Sequence, residues 1–256
     1  MPTIWDQIAG PAGPLALHLA PTGPAPGRHG GAVVLCHGFP SGMASAERAG
    51  DGLATLADRL AVESGRRVVA PCLRGVGASG GDFSMDGWLD DLRAVVAHSA
   101  ALADGGGVWV VGFGAGGSLG LCVGSEDDRV RGVACVGSPA SFAGWVRDAP
   151  GMVDHARQVG VIQTAGFPAD IGPWSAAFTT LRPDEAAAKV QPRPVLFVHG
   201  SDDEEVPISE GRALAEAAGP SAELRVILGA GHRLLADPRA VALLAGWLER
   251  QRSGRR

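Results

Sequence analysis

The sequence predicts an α/β protein, built as a single domain over residues 1–256 around a mostly parallel sheet with helices on both faces. Two observations predict this fold. Short apolar runs of strand length alternate along the chain with longer segments of helical spacing, and repeated βα units favour a parallel sheet. Several of the runs are continuously apolar, as expected for strands that are buried on both faces.

Strands are predicted where short apolar runs end at a turn-forming residue. Residues 31–36 form one such run, and residues 67–70 form another that Pro71 stops. Residues 107–111 lead into a glycine-rich turn. The predicted strands are residues 14–19, 31–36, 67–70, 107–111, 131–136, 194–199 and 223–228.

Helices are predicted where apolar residues recur every three to four positions. Residues 44–64 show this spacing and end before Gly65, and residues 84–103 follow Ser84, which can cap a helix. The pattern weakens over residues 139–191, where proline and glycine interrupt it and only short helices are predicted. The predicted helices are residues 44–64, 84–103, 115–123, 152–158, 175–181, 184–190, 209–218 and 238–250.

Composition and charge exclude several classes of protein. The net charge is −5 and the basic residues are scattered, so a nucleic-acid partner is not expected. No apolar run has the length of a membrane span, and the N-terminus lacks a signal-peptide pattern, so we expect a cytoplasmic protein without a membrane partner. The cysteines lack CxxC spacing and lie in or beside apolar segments, which predicts buried, reduced thiols and no metal site. They are Cys36, Cys72, Cys122 and Cys135.

Ligands of parallel sheets bind at the carboxyl ends of the strands, and four segments of this sequence fall there. They are His37-Gly38-Phe39, residues 112–116, residues 199–207 and Gly231-His232. In the second segment a strand, a glycine-rich turn and a helix follow one another, which is the context of a Gly-x-Ser-x-Gly nucleophile elbow. The central residue of this elbow (residues 112–116) is Gly114, which has no side chain to act as a nucleophile.

Together these segments resemble the α/β-hydrolase superfamily over residues 14–250. The resemblance rests on His-Gly-Phe at 37–39, Arg-Gly-Val-Gly-Ala-Ser at 74–79, the elbow, His-Gly-Ser-Asp-Asp-Glu-Glu-Val-Pro at 199–207 and Gly-Ala-Gly-His at 229–232. It implies the α/β-hydrolase fold, with a mostly parallel, eight-stranded type of sheet. It also implies a small cap inserted at residues 139–191.

The resemblance further implies roles for individual residues. His232 would be the general base, and Asp203 would orient it, with Asp202 as the competing candidate. The backbone N–H groups of Phe39 and Ala115 would form an oxyanion hole.

The same resemblance places Gly114 at a vacant nucleophile position. His37 and Gly38 are expected at the pocket around Gly114, where His37 would mainly brace the oxyanion loop. Trp145 and Trp174 of the cap are candidates to line this pocket. Glu204 and Glu205 are interpreted as solvated loop charges. We expect a small-molecule substrate or ligand and no cofactor, and the sequence does not indicate an oligomeric state.

Three interpretations of the missing serine remain open. The first is a catalytically inactive homologue that binds a small molecule or a protein; its Gly-x-Gly-x-Gly turn is similar to that of the N-myc downstream-regulated family, which is considered inert. In the second, His232 and Asp203 act directly by activating water or moving a proton. The third is a substitute nucleophile. Its candidates are Ser41, Ser118, Ser138 and Cys36.

Overall fold

One eight-stranded sheet organises the computed structural model, which describes residues 5–21 and 31–251, and of residues 43–50 the backbone only. The strands are β1 (Asp6–Gly10), β2 (Gly13–Leu19), β3 (Ala32–Cys36), β4 (Arg67–Pro71), β5 (Val108–Phe113), β6 (Val130–Val136), β7 (Val195–Gly200) and β8 (Ala222–Ile227). Their order across the sheet is β1-β2-β4-β3-β5-β6-β7-β8. The β1–β2 and β2–β4 pairs are antiparallel, and every other pair is parallel.

Helices cover both faces of this sheet. They are α1 (Met43–Ser64), α2 (Met85–Ala101), α3 (Ala115–Glu126), α4 (Ala149–Gln158), α5 (Ile171–Thr180), α6 (Pro183–Val190), α7 (Ile208–Ala218) and α8 (Pro238–Arg250). α1 and α8 share a core with one face of the sheet, and α2, α3, α6 and α7 share the other. Within the described ranges, no helix has the length and apolar character that a bilayer crossing requires.

The predicted mostly parallel sheet with helices on both faces is confirmed. Each predicted strand and helix occurs, with ends that differ by a few residues. β1 is the strand that the sequence analysis missed, because Asp6–Gly10 has no apolar run and forms the sheet edge by hairpin pairing with β2. Residues 1–4, 22–30 and 252–256 of the predicted domain lie outside the described residues.

The irregular segment over residues 139–191 contains a short 3₁₀ helix (Ala143–Val146), α4, α5 and α6. The 3₁₀ helix, α4 and α5 contact one another, whereas α6 packs against α3 and α7 and so belongs to the helical layer of the sheet. Asp82 ties the segment to the loop before α2, because its carboxylate accepts the N–H groups of Gln163 at 2.6 Å and Thr164 at 3.0 Å.

Candidate active site

Gly114 forms a one-residue turn between β5 and α3. Its φ of +52° and ψ of −125° belong to a conformation that residues with a side chain adopt rarely. The turn is held by a 2.8 Å hydrogen bond from the Gly114 N–H to the carbonyl of Val136. As a result, the N-terminus of α3 lies at the carboxyl edge of the sheet.

The neighbouring glycines are required by close packing of β5, α3 and the loop after β3. A Cβ on Gly112 would overlap the backbone of Gly116 and Gly117. A Cβ on Gly116 would overlap the carbonyl oxygen of His37. Since these contacts are with backbone atoms, a side chain at either position would push the helix away from the sheet.

Gly114 itself is not crowded. A Cβ built there would lie 3.6 Å from the Cα of Gly38 and 3.8 Å from Nε2 of His232, which are ordinary van der Waals distances. The space above Gly114 is therefore open to the imidazole of His232.

His232 and Asp203 form a hydrogen-bonded pair, with 2.9 Å between Nδ1 and Oδ2. The Asp203 side chain is fully buried, and its Oδ1 accepts the backbone N–H groups of Glu205 at 3.0 Å and Val206 at 2.8 Å. A carboxylate only accepts, so Nδ1 donates and Nε2 of the neutral ring is left as an acceptor. Asp202, the competing candidate, instead accepts a hydrogen bond from Ser201.

Two further side chains lie near this pair. His199 is buried, donates from Nε2 to the Val206 carbonyl at 2.8 Å, and lies 3.5 Å from Oδ2 of Asp203. Glu205 is exposed, as expected for a loop charge, and it also borders the cavity above Gly114, with Oε2 3.9 Å from Nε2 of His232. No sequence motif indicated the position of Glu205, because a loop side chain takes its direction from the folded loop.

Phe39 and Ala115 both border the cavity next to Gly114. Ala115 is the first residue of α3, so its N–H has no acceptor within the helix. Among the described residues, no acceptor pairs with the N–H of Phe39 or of Ala115. Unpaired amides at a helix N-terminus favour a negatively charged oxygen.

His37 braces the loop that carries Phe39. Its Nε2 accepts the N–H of Leu73 at 2.9 Å, so Nδ1 carries the proton and donates to the Gly38 carbonyl at 2.8 Å. Burial lowers the pKa of His37 to about 4. The ring stays neutral near pH 7 and its tautomer is fixed by two backbone groups.

A cavity of about 880 Å³ opens above Gly114. Trp145 lines it, as do His37 and Gly38, and His155 from α4 lines it while stacking on Phe39 with ring centroids 5.7 Å apart. Trp174 does not line it. Its ring is buried against Phe178, and its Nε1 donates to the carbonyl of Phe83 at 3.1 Å.

The candidate substitute nucleophiles lie outside the cavity, with one exception. Ser118 is buried and donates to the carbonyl of Pro139 at 2.6 Å, and Ser138 is also buried. Burial raises the pKa of Cys36 to about 12, which disfavours its thiolate. Ser41 lines the cavity, but no hydrogen bond joins it to His232. Over the described residues, no three His, Cys, Asp or Glu side chains gather in a way that could hold a metal ion.

Comparison with known proteins is consistent with this architecture. Residues 33–243 match the sequence model of the alpha/beta hydrolase family. No curated protein is similar enough in sequence to match the chain.

Among solved structures, an alpha-beta serine hydrolase homologue from Coxiella burnetii is 20% identical, with 98% of each chain covered and a TM-score of 0.63. A meta-cleavage product hydrolase from Pseudomonas fluorescens is 20% identical, with 96% of this chain and 98% of that chain covered and a TM-score of 0.67. A thermophilic esterase from Thermogutta terrifontis is 23% identical, with 98% and 100% covered and a TM-score of 0.61. At these identities the likeness shows the fold.

Proposed function

This chain belongs to the alpha/beta hydrolase family, and from that premise we propose that it hydrolyses a small acyl compound with a water molecule activated directly by His232. One observation carries the proposal. The acceptor Nε2 of a hydrogen-bonded His232–Asp203 pair borders the open space above Gly114, where a Cβ would lie 3.8 Å away.

In the proposed reaction, the substrate carbonyl oxygen accepts hydrogen bonds from the N–H groups of Phe39 and Ala115. A water molecule above Gly114 attacks the carbonyl carbon and gives one proton to Nε2 of His232. Asp203 stabilises the imidazolium through Nδ1. His232 then returns the proton to the leaving group as the carbon–oxygen bond breaks.

The missing nucleophile limits the expected rate. Loss of the serine from a triad costs about 10⁶ in rate, and about 10³–10⁴ over water remains from the oxyanion hole and binding. General-base catalysis by a positioned histidine contributes about 10²–10⁴. We therefore expect slow turnover without an acyl-enzyme.

The hydrolases and the esterase among the similar structures support acyl compounds, and esters first, as the class to screen. A panel of p-nitrophenyl esters of different chain length tests the proposal. The wild type is expected to turn over at least one ester, and His232→Ala to lower kcat by about 10²–10⁴. A fluorophosphonate probe should leave the wild type unlabelled, since labelling would indicate a substitute nucleophile.

A second candidate is a binding module without catalysis, and Gly114 is the observation that favours it. Turnover that is absent across the panel, or that is unchanged in His232→Ala, would reject the hydrolase proposal in favour of binding. Ligand binding to the cavity would then be measured by the change in tryptophan fluorescence, with Trp145→Phe as the control that removes the tryptophan lining the cavity.

A further inference from the structure

Glu205 brings a second carboxylate to His232, at the ring nitrogen that Asp203 does not contact. Its Oε2 lies 3.9 Å from Nε2, which is beyond a direct hydrogen bond. Its backbone N–H donates to Asp203, so the loop that carries it is fixed by the same carboxylate that orients the imidazole. Within the described part of the chain, no other group pairs with the Glu205 carboxylate.

The number of protons on the nucleophile indicates a role for this second carboxylate. A serine hydroxyl has one proton, so one acceptor fixes its orientation. A water molecule has two, and its lone pair is aimed at the substrate only when both protons have acceptors. His232 supplies one acceptor above Gly114, and Glu205, whose Oε2 lies 3.9 Å from Nε2 in the same cavity, can supply the other.

The spacing of the two acceptors suits one water molecule. For a water oxygen about 2.8 Å from both Nε2 and Oε2, the Nε2–O–Oε2 angle would be about 90°, close to the angle between the two O–H bonds of water. The Glu205 side chain is 58% exposed and borders the cavity, so small rotamer changes adjust this angle.

We propose that Glu205 is a catalytic residue that holds the second proton of the nucleophilic water; the inference rests on the proposed hydrolase function. In the attack, one proton moves from water to Nε2 of His232 while the other stays on the oxygen and points at Glu205. The new carbon–oxygen bond forms, the bond to the leaving group breaks, and His232 protonates that group. Glu205 neither gains nor loses a proton.

Competition between water and methanol tests this role. Methanol has one hydroxyl proton, so its attack needs His232 as an acceptor but gains nothing from Glu205. In Glu205→Ala, hydrolysis is expected to slow by about 10- to 100-fold, the range for one lost charge-assisted hydrogen bond. Methanolysis is expected to slow less, so the ratio of methyl ester to acid in mixed solvent should rise about tenfold or more.

Two variants control the measurement. Glu204→Ala removes an exposed carboxylate one position away that does not line the cavity, and it should keep the wild-type product ratio. Glu205→Gln keeps the shape and an acceptor oxygen but loses the charge, so it should retain part of the wild-type ratio, whereas Glu205→Met keeps similar bulk without an oxygen and should resemble Glu205→Ala. Thermal unfolding of each variant confirms that the comparison is made on folded protein.

The outcomes separate the two proposals. If His232→Ala abolishes turnover but Glu205→Ala leaves the product ratio unchanged, the role of Glu205 is overturned and the hydrolase function stands. If no turnover depends on His232, the hydrolase function fails and the role of Glu205 fails with it.

Discussion

Gly114 and His232 face each other across an open space, and a Cβ on the glycine would lie 3.8 Å from Nε2 of the histidine. The elbow therefore has room for a side chain that it does not carry. Its three neighbouring glycines have no such room, since each would meet backbone or a buried hydroxyl at overlapping distance. The architecture of the turn is thus separable from the presence of a nucleophile.

Gly114→Ser is expected to gain labelling by a fluorophosphonate probe, because the new hydroxyl would lie beside Nε2 of His232. The φ of +52° makes the variant less stable than the wild type by about 1–2 kcal/mol. Labelling followed by mass spectrometry checks the first expectation and urea unfolding the second. Gly144→Ser, at an open position in the 3₁₀ helix Ala143–Val146, is the control and should stay unlabelled. Failure of Gly114→Ser to react would mean that His232 and the two amides do not converge on the turn.

Asp203→Asn is expected to lower kcat for ester hydrolysis by up to about 10²–10⁴, the contribution of His232 as general base, because the amide no longer fixes the tautomer of His232 or stabilises its charged form. Asp202→Asn is the matched control and should change kcat by less than about threefold, since Asp202 is exposed and bonded to Ser201. Steady-state kinetics on one ester compares the two. Equal effects would remove Asp203 from the proposed mechanism.

Gly116→Ala is expected to destabilise the fold by about 1–3 kcal/mol, because its Cβ would overlap the carbonyl oxygen of His37 and lie 2.7 Å from that of Cys36. Gly144→Ala has open space around the added methyl and should leave stability nearly unchanged. Urea denaturation of both variants provides the comparison. A Gly116→Ala variant as stable as the wild type would show that α3 can shift without cost.

His37 predicts an acid-sensitive contribution to stability. Burial lowers its pKa in the folded state to about 4, from an ordinary value of 6.5. Between these values the unfolded chain binds a proton that the folded chain does not, so stability is complete above pH 6.5 and declines as pH falls toward 4. The decline from this group amounts to about 3 kcal/mol.

The pH dependence of urea unfolding in wild type and His37→Gln isolates this contribution. The variant is less stable near pH 7, because it loses the paired ring, but its stability should decline less between pH 6.5 and 4. Parallel declines in the two proteins would mean that His37 takes up a proton in the folded state.

The fold was predictable because most of its strands are short apolar runs, and such runs directly indicate buried strands. The four segments at strand ends were predictable as neighbours for the same reason, since parallel strands present their carboxyl ends at one edge. Strand β1 was not predictable, because its position depends on pairing with β2 and not on its own sequence pattern.

The directions of single side chains could not be predicted from the sequence either. Trp174 turns into an aromatic cluster with Phe83 and Phe178 because helix α5 presents that face to α2. Glu205 points toward His232 because Asp203 folds the loop around its own carboxylate. The direction of Trp174 is set by contacts with a segment far apart in sequence, and that of Glu205 by hydrogen bonds within one loop whose shape the sequence pattern does not specify.

The four cysteines of the chain are all buried, and burial raises the pKa of each thiol, to about 12 for Cys36, Cys72 and Cys122. The folded protein therefore offers a maleimide dye almost no reactive thiolate. A single cysteine placed at the exposed Glu204 would be the one attachment point for a fluorophore, one residue away from Glu205, which lines the cavity. Because the native thiols stay unlabelled, the fluorescence of this single dye could report the rate of ligand binding.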